Sequence, residues 1–211
     1  MSQMNPVEEH RQLVSQLSIE EVPGARTTHH SPCGRYFVEE TKLIGKGNGE
    51  RPLQFLRVVA RRVCDQAVIA EVLTDHRDLY PGWVSRGTDD YLLFQEMQGG
   101  PTVVDLVRGE VASYYDAEDD FIWTDYHLSP SGSRLVVGGC YWACPWDLRV
   151  YDFSSPLSVP LPIFAHFEGD DSHLELCHWD GDDFLVTKDK NGERSLAIPQ
   201  TAHLKWRFPN Q

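Results

Sequence analysis

The chain has 211 residues, of which 41% are hydrophobic and 11% aromatic, and this composition excludes extensive intrinsic disorder. Its 32 acidic and 19 basic residues give a formal net charge of −13, which disfavours binding to nucleic-acid phosphates and attracts basic partners. No segment has the roughly 18 consecutive apolar residues of a membrane span. Because the five cysteines are scattered, unlike those of a small secreted domain, we expect a cytoplasmic protein.

A short helix is predicted near the N-terminus. Asn5 can cap it, Pro6 suits its first position, and Glu8 and Glu9 suit the positive end of its dipole. Pro23 and Gly24 interrupt the pattern, and β-branched and aromatic residues follow between turn residues. The sequence therefore predicts an N-terminal helical segment over residues 1–24 and a single β-repeat domain over residues 25–211.

A unit of roughly fifty residues recurs about four times after the helix. Two copies share a Ser-Pro-x-Gly turn followed by an apolar strand, at 31–38 and 129–136, and fainter copies begin near 88 and 181. One such unit cannot bury its apolar face alone and must pack on its neighbours. The predicted fold class is all-β, a propeller-like array of about four antiparallel sheets that is either a small closed ring or an open stack.

The strands of each unit are bounded by turn residues. The Pro-rich strand that contains Pro160 and Pro162 is expected at a sheet edge, because proline cannot donate to a β-ladder. The predicted strands, by unit, cover 35–42, 53–63 and 67–73; 91–97, 102–107 and 110–115; 121–128, 134–140, 147–153 and the Pro-rich strand; and 174–179, 183–188, 194–198 and a final 202–208.

The repeated turn and the segment Leu148 to Phe153 are similar to those in blades of the WD40-like β-propeller family. The resemblance covers residues from about 27 to 200. It implies a scaffold that binds other proteins and has no activity intrinsic to the fold.

Four side chains form a candidate metal set: Cys140, Cys144, Cys177 and His178, with His173 as a further ligand. Thiolates and imidazole suit zinc, but structural zinc sites usually have two tight ligand pairs, and only one is present here. Buried or loop cysteines are the interpretation we adopt, so no metal and no cofactor is predicted.

Three carboxylate clusters lie where units meet. If the connecting loops share one rim, these clusters form an acidic surface that could bind a basic protein or a divalent cation; otherwise they are solvated turn residues. The clusters are Asp116, Glu118, Asp119 and Asp120; Glu168, Asp170 and Asp171; and Asp180, Asp182 and Asp183.

Aromatic residues follow a predicted strand at Tyr141, Trp142 and Trp146. Two tryptophans are hard to bury in a turn, so the segment either anchors a partner or folds back onto the core.

We expect a non-enzymatic protein-binding module that docks a basic protein, as an inhibitor or immunity-type protein would. The expected partner-binding residues are Tyr141, Trp142, Trp146, Asp116, Glu118, Asp119, Asp120, Asp170 and Asp171. One alternative is a small metal-dependent hydrolase with its site in the Asp-rich loops, among Asp116, Asp119, Asp180 and Asp182. Another is a structural subunit whose sheet edges pair with a second copy. The chain has none of the common hydrolase or phosphate-binding motifs.

Overall fold

A computed structural model describes residues 5–46, 52–97, 99–141, 146–169 and 174–203. A short helix precedes four antiparallel sheets, each formed from strands that are consecutive in sequence. This arrangement confirms the all-β class and the N-terminal helix. Within the described ranges, no helix has the length and apolar character needed to cross a membrane.

Helix α1 (Pro6–Ser15) begins as expected, since the Asn5 side chain accepts a hydrogen bond from the Val7 amide at 3.0 Å. Its buried Val14 packs against Leu43 and Phe55 of the first sheet. The helix is therefore held by tertiary packing as well as by its cap.

Sheet 1 contains a first strand that was not predicted. It begins at Ser18, before the boundary expected at residue 24, and Pro23 and Gly24 lie at a register shift between Glu21 and Arg26. The strand is mostly exposed and lacks an apolar alternation that would reveal it. The four strands are β1 (Ser18–His30), β2 (Tyr36–Lys46), β3 (Leu53–Arg62) and β4 (Val68–Thr74).

Sheet 2 also has a first strand that the sequence did not reveal, because β5 is only five residues long. Leu92 and Leu93, adjacent on its second strand, belong to different hydrophobic cores, so both faces of this sheet are covered. The strands are β5 (Gly82–Arg86), β6 (Asp89–Phe94), β7 (Thr102–Asp105) and β8 (Glu110–Ser113).

Sheet 3 follows the predicted order of strands. Its fourth strand lies at the sheet edge as expected, but it begins at Ile163, so Pro160 and Pro162 precede the strand and are not part of it. The strands are β9 (Ile122–Leu128), β10 (Arg134–Cys140), β11 (Asp147–Asp152) and β12 (Ile163–Phe167).

Sheet 4 has three strands within the part of the chain that the structure describes. Of the final strand expected over 202–208, the described part provides only His203, which pairs with Ile163 at the edge of sheet 3; residues 204–208 lie outside the described ranges. The strands are β13 (Glu175–Asp180), β14 (Phe184–Asp189) and β15 (Gly192–Ala197).

All four sheets share one hydrogen bond at an equivalent place. The residue after the third strand donates its amide to a carbonyl at the start of the second strand, which joins these two strands at one end. The donor and acceptor pairs are Val63 to Arg35 at 2.8 Å, Leu106 to Asp90 at 2.9 Å, Phe153 to Ser133 at 2.8 Å and Ile198 to Asp183 at 2.8 Å. The recurring unit seen in the sequence is therefore a recurring structural unit.

Consecutive sheets pack face to face. Leu56 and Leu92 share a core between sheets 1 and 2, Leu93 and Leu135 share one between sheets 2 and 3, and a third core joins sheets 3 and 4. None of the core clusters formed by the described residues joins sheet 4 to sheet 1. Each apolar face thus depends on its neighbour along the stack.

Candidate functional site

The stack has two rims, because the strands of each sheet alternate in direction. We call the end with the turns between the first and second strands, at 31–35, 87–88, 129–133 and 181–183, the corner rim. The opposite end carries the connections from one sheet to the next, and we call it the junction rim. The connections between β8 and β9 and between β12 and β13 lie there, together with Trp146 before β11.

The three carboxylate clusters do not share one rim. The cluster at 116–120 and Glu168 lie on the junction rim, whereas Asp180 to Asp183 lie on the corner rim. There Asp182 accepts a hydrogen bond from the Ser131 amide at 3.1 Å, and Asp183 accepts one from Arg134 at 3.1 Å. The expectation of a single acidic surface is corrected by this geometry, and the four aspartates of the hydrolase hypothesis are not brought together.

The cluster at 116–120 is partly a structural turn. Asp116 accepts a hydrogen bond from the Glu118 amide at 3.1 Å, and its carbonyl accepts one from the Asp119 amide at 3.1 Å. Glu118 and Asp120 are exposed, so they contribute charge to the junction rim. Asp170 and Asp171 lie outside the described residues.

Asp119 is turned inward to Arg149, a strand residue that the sequence reasoning missed. The Arg149 guanidinium donates to both carboxylate oxygens of Asp119, at 2.6 and 3.0 Å, and the Arg149 side chain is only 2% exposed. It also donates to the Tyr141 hydroxyl and lies over the Phe121 ring, 4.3 Å from the centroid. Asp119 and Tyr141 therefore meet around the buried guanidinium of Arg149, and both remain partly exposed.

A buried histidine and aspartate extend this network. His166 contacts Asp147 with 3.0 Å between Nε2 and Oδ2, and the His166 ring lies 6.1 Å from the Tyr141 ring. Burial raises the pKa of Tyr141, although the nearby Arg149 opposes that shift. A tyrosine that stays neutral and a paired aspartate are suited to holding the connection between β8 and β9 against sheet 3.

The candidate metal ligands are not assembled in the described part of the structure. Cys177 and His178 are exposed on β13, Cys140 ends β10, and Cys144 and His173 lie outside the described ranges. Among the described residues, no three His, Cys, Asp or Glu side chains are close enough together to bind one metal ion.

Trp146 lines a groove of about 400 Å³ between sheets 3 and 4. Gly138 forms part of its floor, because it pairs with Asp125 on one side and Leu148 on the other and has no side chain to fill the space between them. A Cβ atom at Gly138 would lie 3.3 Å from the Asp125 Cβ and 3.7 Å from a Leu148 methyl group. The groove therefore depends on a glycine in the middle strands of sheet 3.

Sheet 4 supplies the other wall of the groove through Leu174, Glu175 and Leu176. The Leu174 amide donates to the Trp146 carbonyl at 3.1 Å, which fixes the backbone of the tryptophan against sheet 4. The groove thus has apolar leucine walls, one indole and two carboxylates, Asp125 and Glu175. Of the expected anchors, Trp146 is placed at this groove, Tyr141 is in the buried network and Trp142 lies outside the described residues.

His127 modulates the charge of one of these carboxylates. Its Nε2 lies 2.7 Å from Asp125 Oδ2, and both side chains are largely exposed. The hydrogen bond lowers the pKa of Asp125 and raises the pKa of His127. Asp125 therefore stays ionised at neutral pH.

No protein-family model matches the chain, so the WD40-like resemblance rests on the motif residues alone. An uncharacterized protein of Acanthamoeba polyphaga mimivirus is 25% identical to the chain over 158 residues. The match covers 74% of the chain and 61% of the viral protein, so the chain spans less than two thirds of the length of that relative.

Proposed function

We propose that this protein is a non-enzymatic protein-binding module whose propeller-like stack of sheets receives a basic side chain of a partner protein. The observation that supports this proposal is the groove between sheets 3 and 4. It combines an open floor at Gly138 with Trp146 and two carboxylates, Asp125 and Glu175.

A lysine or arginine side chain matches each part of that groove. Its methylene stem would lie along Leu148 and Leu174, as long basic side chains cover apolar surface while the charged end stays near water. Its cationic head would reach Asp125 and Glu175, and the indole of Trp146 offers a face for a cation–π contact.

Long-range attraction would act in the same direction. The net charge of −13 and the exposed Glu118, Asp120 and Glu168 on the junction rim favour the approach of a basic protein. Such attraction mainly accelerates association and is screened by salt, whereas the groove supplies short-range specificity.

The proposal is tested with a blocked peptide, acetyl-Gly-Arg-Gly-amide, and a control in which citrulline replaces arginine. Binding is measured by backbone NMR titration of the protein. We expect the arginine peptide to shift amides around the groove and to bind at least about tenfold more tightly than the citrulline peptide, because citrulline has similar shape without the charge. Added salt should weaken the arginine peptide alone.

Two variants locate the binding. Gly138→Leu fills the floor of the groove, and Trp146→Ala removes its aromatic wall; both should lose at least about tenfold in affinity. Glu110→Gln removes an exposed carboxylate on sheet 2 and serves as the matched charge control. Equal affinity for the two peptides, or unchanged binding by Gly138→Leu, would contradict the proposal.

A further inference from the structure

Among the described residues, no outer strand completes sheet 4 as one does in the other three sheets. In sheets 1, 2 and 3 the third strand pairs with an antiparallel fourth strand, as β3 does with β4, β7 with β8 and β11 with β12. Sheet 4 ends at β15. The chain beyond it reaches His203, which pairs with Ile163 of sheet 3 and does not fold back along β15.

The open side of β15 presents backbone hydrogen-bonding groups. The Ile198 amide donates to the Asp183 carbonyl, so Phe184 and Ala197 between them form a non-hydrogen-bonded pair of the antiparallel ladder. Hydrogen-bonded and non-hydrogen-bonded pairs alternate along the ladder, so Ser195 and Glu193 also belong to non-hydrogen-bonded pairs. The N–H and C=O groups of Glu193, Ser195 and Ala197 therefore point away from β14, on the side where no described strand lies.

The neighbouring sheet has aromatic side chains near the same place. Phe164 and Phe167 of β12 pack on the core between sheets 3 and 4, yet both remain only partly buried. Ala165 of the same strand is already part of that core, as Ala70 and Val72 of β4 are part of the core between sheets 1 and 2. A fourth strand in sheet 4 would offer further apolar contacts to Phe164 and Phe167.

We propose that β15 binds an extended segment of another protein as a fourth, antiparallel strand of sheet 4. Main-chain hydrogen bonds to Glu193, Ser195 and Ala197 would align the segment, and its alternate apolar side chains would pack toward β12. The net charge of −13 disfavours a second copy of this chain as the occupant and favours a segment with net positive charge. This surface is separate from the groove at Gly138 and does not depend on it.

The test uses a fluorescent peptide with the sequence of a fourth strand of this protein, residues 68–74, flanked by two lysines at each end. Binding to the full chain is measured by fluorescence anisotropy. Two further peptides carry N-methyl groups on alternate amides, in complementary sets. Only one set can face β15, so one methylated peptide should bind like the parent and the other should lose at least about tenfold in affinity.

Protein variants provide the matched comparison. Ser195→Pro removes an amide that points to the open edge, a position where a strand tolerates proline, whereas Ser195→Ala keeps the amide. We expect about a tenfold loss of affinity for the proline variant and no change for the alanine variant. If the proline variant fails to fold, the two methylated peptides decide the question.

Three results would overturn the inference. They are no binding of the parent peptide, equal binding of both methylated peptides, and equal binding by a folded Ser195→Pro protein. Sedimentation of the wild-type chain as a dimer that Ser195→Pro converts to a monomer would also overturn it, since a second copy would then occupy the edge.

Discussion

Arg149 and Asp119 form an ion pair with two hydrogen bonds, from Nη1 to Oδ2 at 2.6 Å and from Nη2 to Oδ1 at 3.0 Å. The pair links β11 to the connection between sheets 2 and 3, and the guanidinium is almost completely buried. Because an uncompensated buried charge is far more costly than an exposed one, this contact defines the first prediction.

Asp119→Ala should reduce the free energy of unfolding by about 3 kcal/mol, because Arg149 stays buried without its carboxylate. The double variant Asp119→Ala with Arg149→Met should be more stable than Asp119→Ala alone, since it removes the unpaired charge as well. Urea unfolding measures both. Glu110→Ala, an exposed control on β8, should change stability by less than about 0.5 kcal/mol. An equally small effect of Asp119→Ala would contradict the structural role of the pair.

A buried carboxylate, that of Glu96, holds helix α1. Arg11 donates to both oxygens of Glu96 at 2.7 Å, and Ser113 donates to the same carboxylate at 2.7 Å. Arg11→Met should increase hydrogen exchange of the α1 amides by at least about tenfold, because the buried Glu96 loses its cation. Adding Glu96→Gln should restore part of the protection, while Gln12→Ala, on the exposed face of the helix, is the control. Unchanged exchange in Arg11→Met would show that the helix docks without this contact.

The two Ser-Pro-x-Gly corners should contribute similar stability. Ser31 Oγ donates to the Tyr36 carbonyl at 2.9 Å and accepts from the Tyr36 amide at 3.0 Å, and Ser129 Oγ accepts from the Arg134 amide at 3.2 Å. Each Ser→Ala change should cost about 1 kcal/mol in thermal or chemical unfolding, and the two should add, because the corners lie in different sheets. Ser154→Ala is the exposed control. A clearly non-additive double variant would indicate that the corners interact.

His76 should make stability depend on pH. Burial lowers its pKa in the folded protein, against the opposing effects of Asp75 and a backbone hydrogen bond at Met97. Below its ordinary value of about 6.5, the unfolded chain therefore binds this proton more readily than the folded chain, so stability falls as the pH decreases from 7 to 5. His76→Gln should show a shallower decrease over that range in urea unfolding. Parallel pH profiles for the two proteins would rule out a contribution from His76.

Local patterns accounted for what could be predicted from the sequence. The Asn5 cap and the Ser31 and Ser129 corners depend on hydrogen bonds between residues at most five positions apart. Their motifs can therefore be recognised in the sequence before the fold is known. Strands β1 and β5 were missed because one is mostly exposed and the other is short. Neither has the apolar alternation on which strand prediction depends.

Only part of the candidate site could be predicted from the sequence. Trp146 was recognised as a candidate anchor, but Asp119 was assigned to the surface because its partner Arg149 is 30 residues away in sequence. Gly138 was not predicted as a site residue, since a glycine in a strand indicates a groove only when its neighbours on the adjacent strands are known. The groove at Gly138 follows from strand register, whereas the contact between Asp119 and Arg149 follows from the path of the connection between β8 and β9.

The sequence by itself determined the all-β class, the repeating unit and the acidic charge, because these depend on residue types and on contacts within a few positions. The tertiary structure decided which face each sheet covers, that Arg149 and Glu96 are buried in ion pairs and that β15 has an open edge among the described strands. These properties depend on pairing between residues that are distant along the chain, and the alternation of side chains within one strand does not specify that pairing.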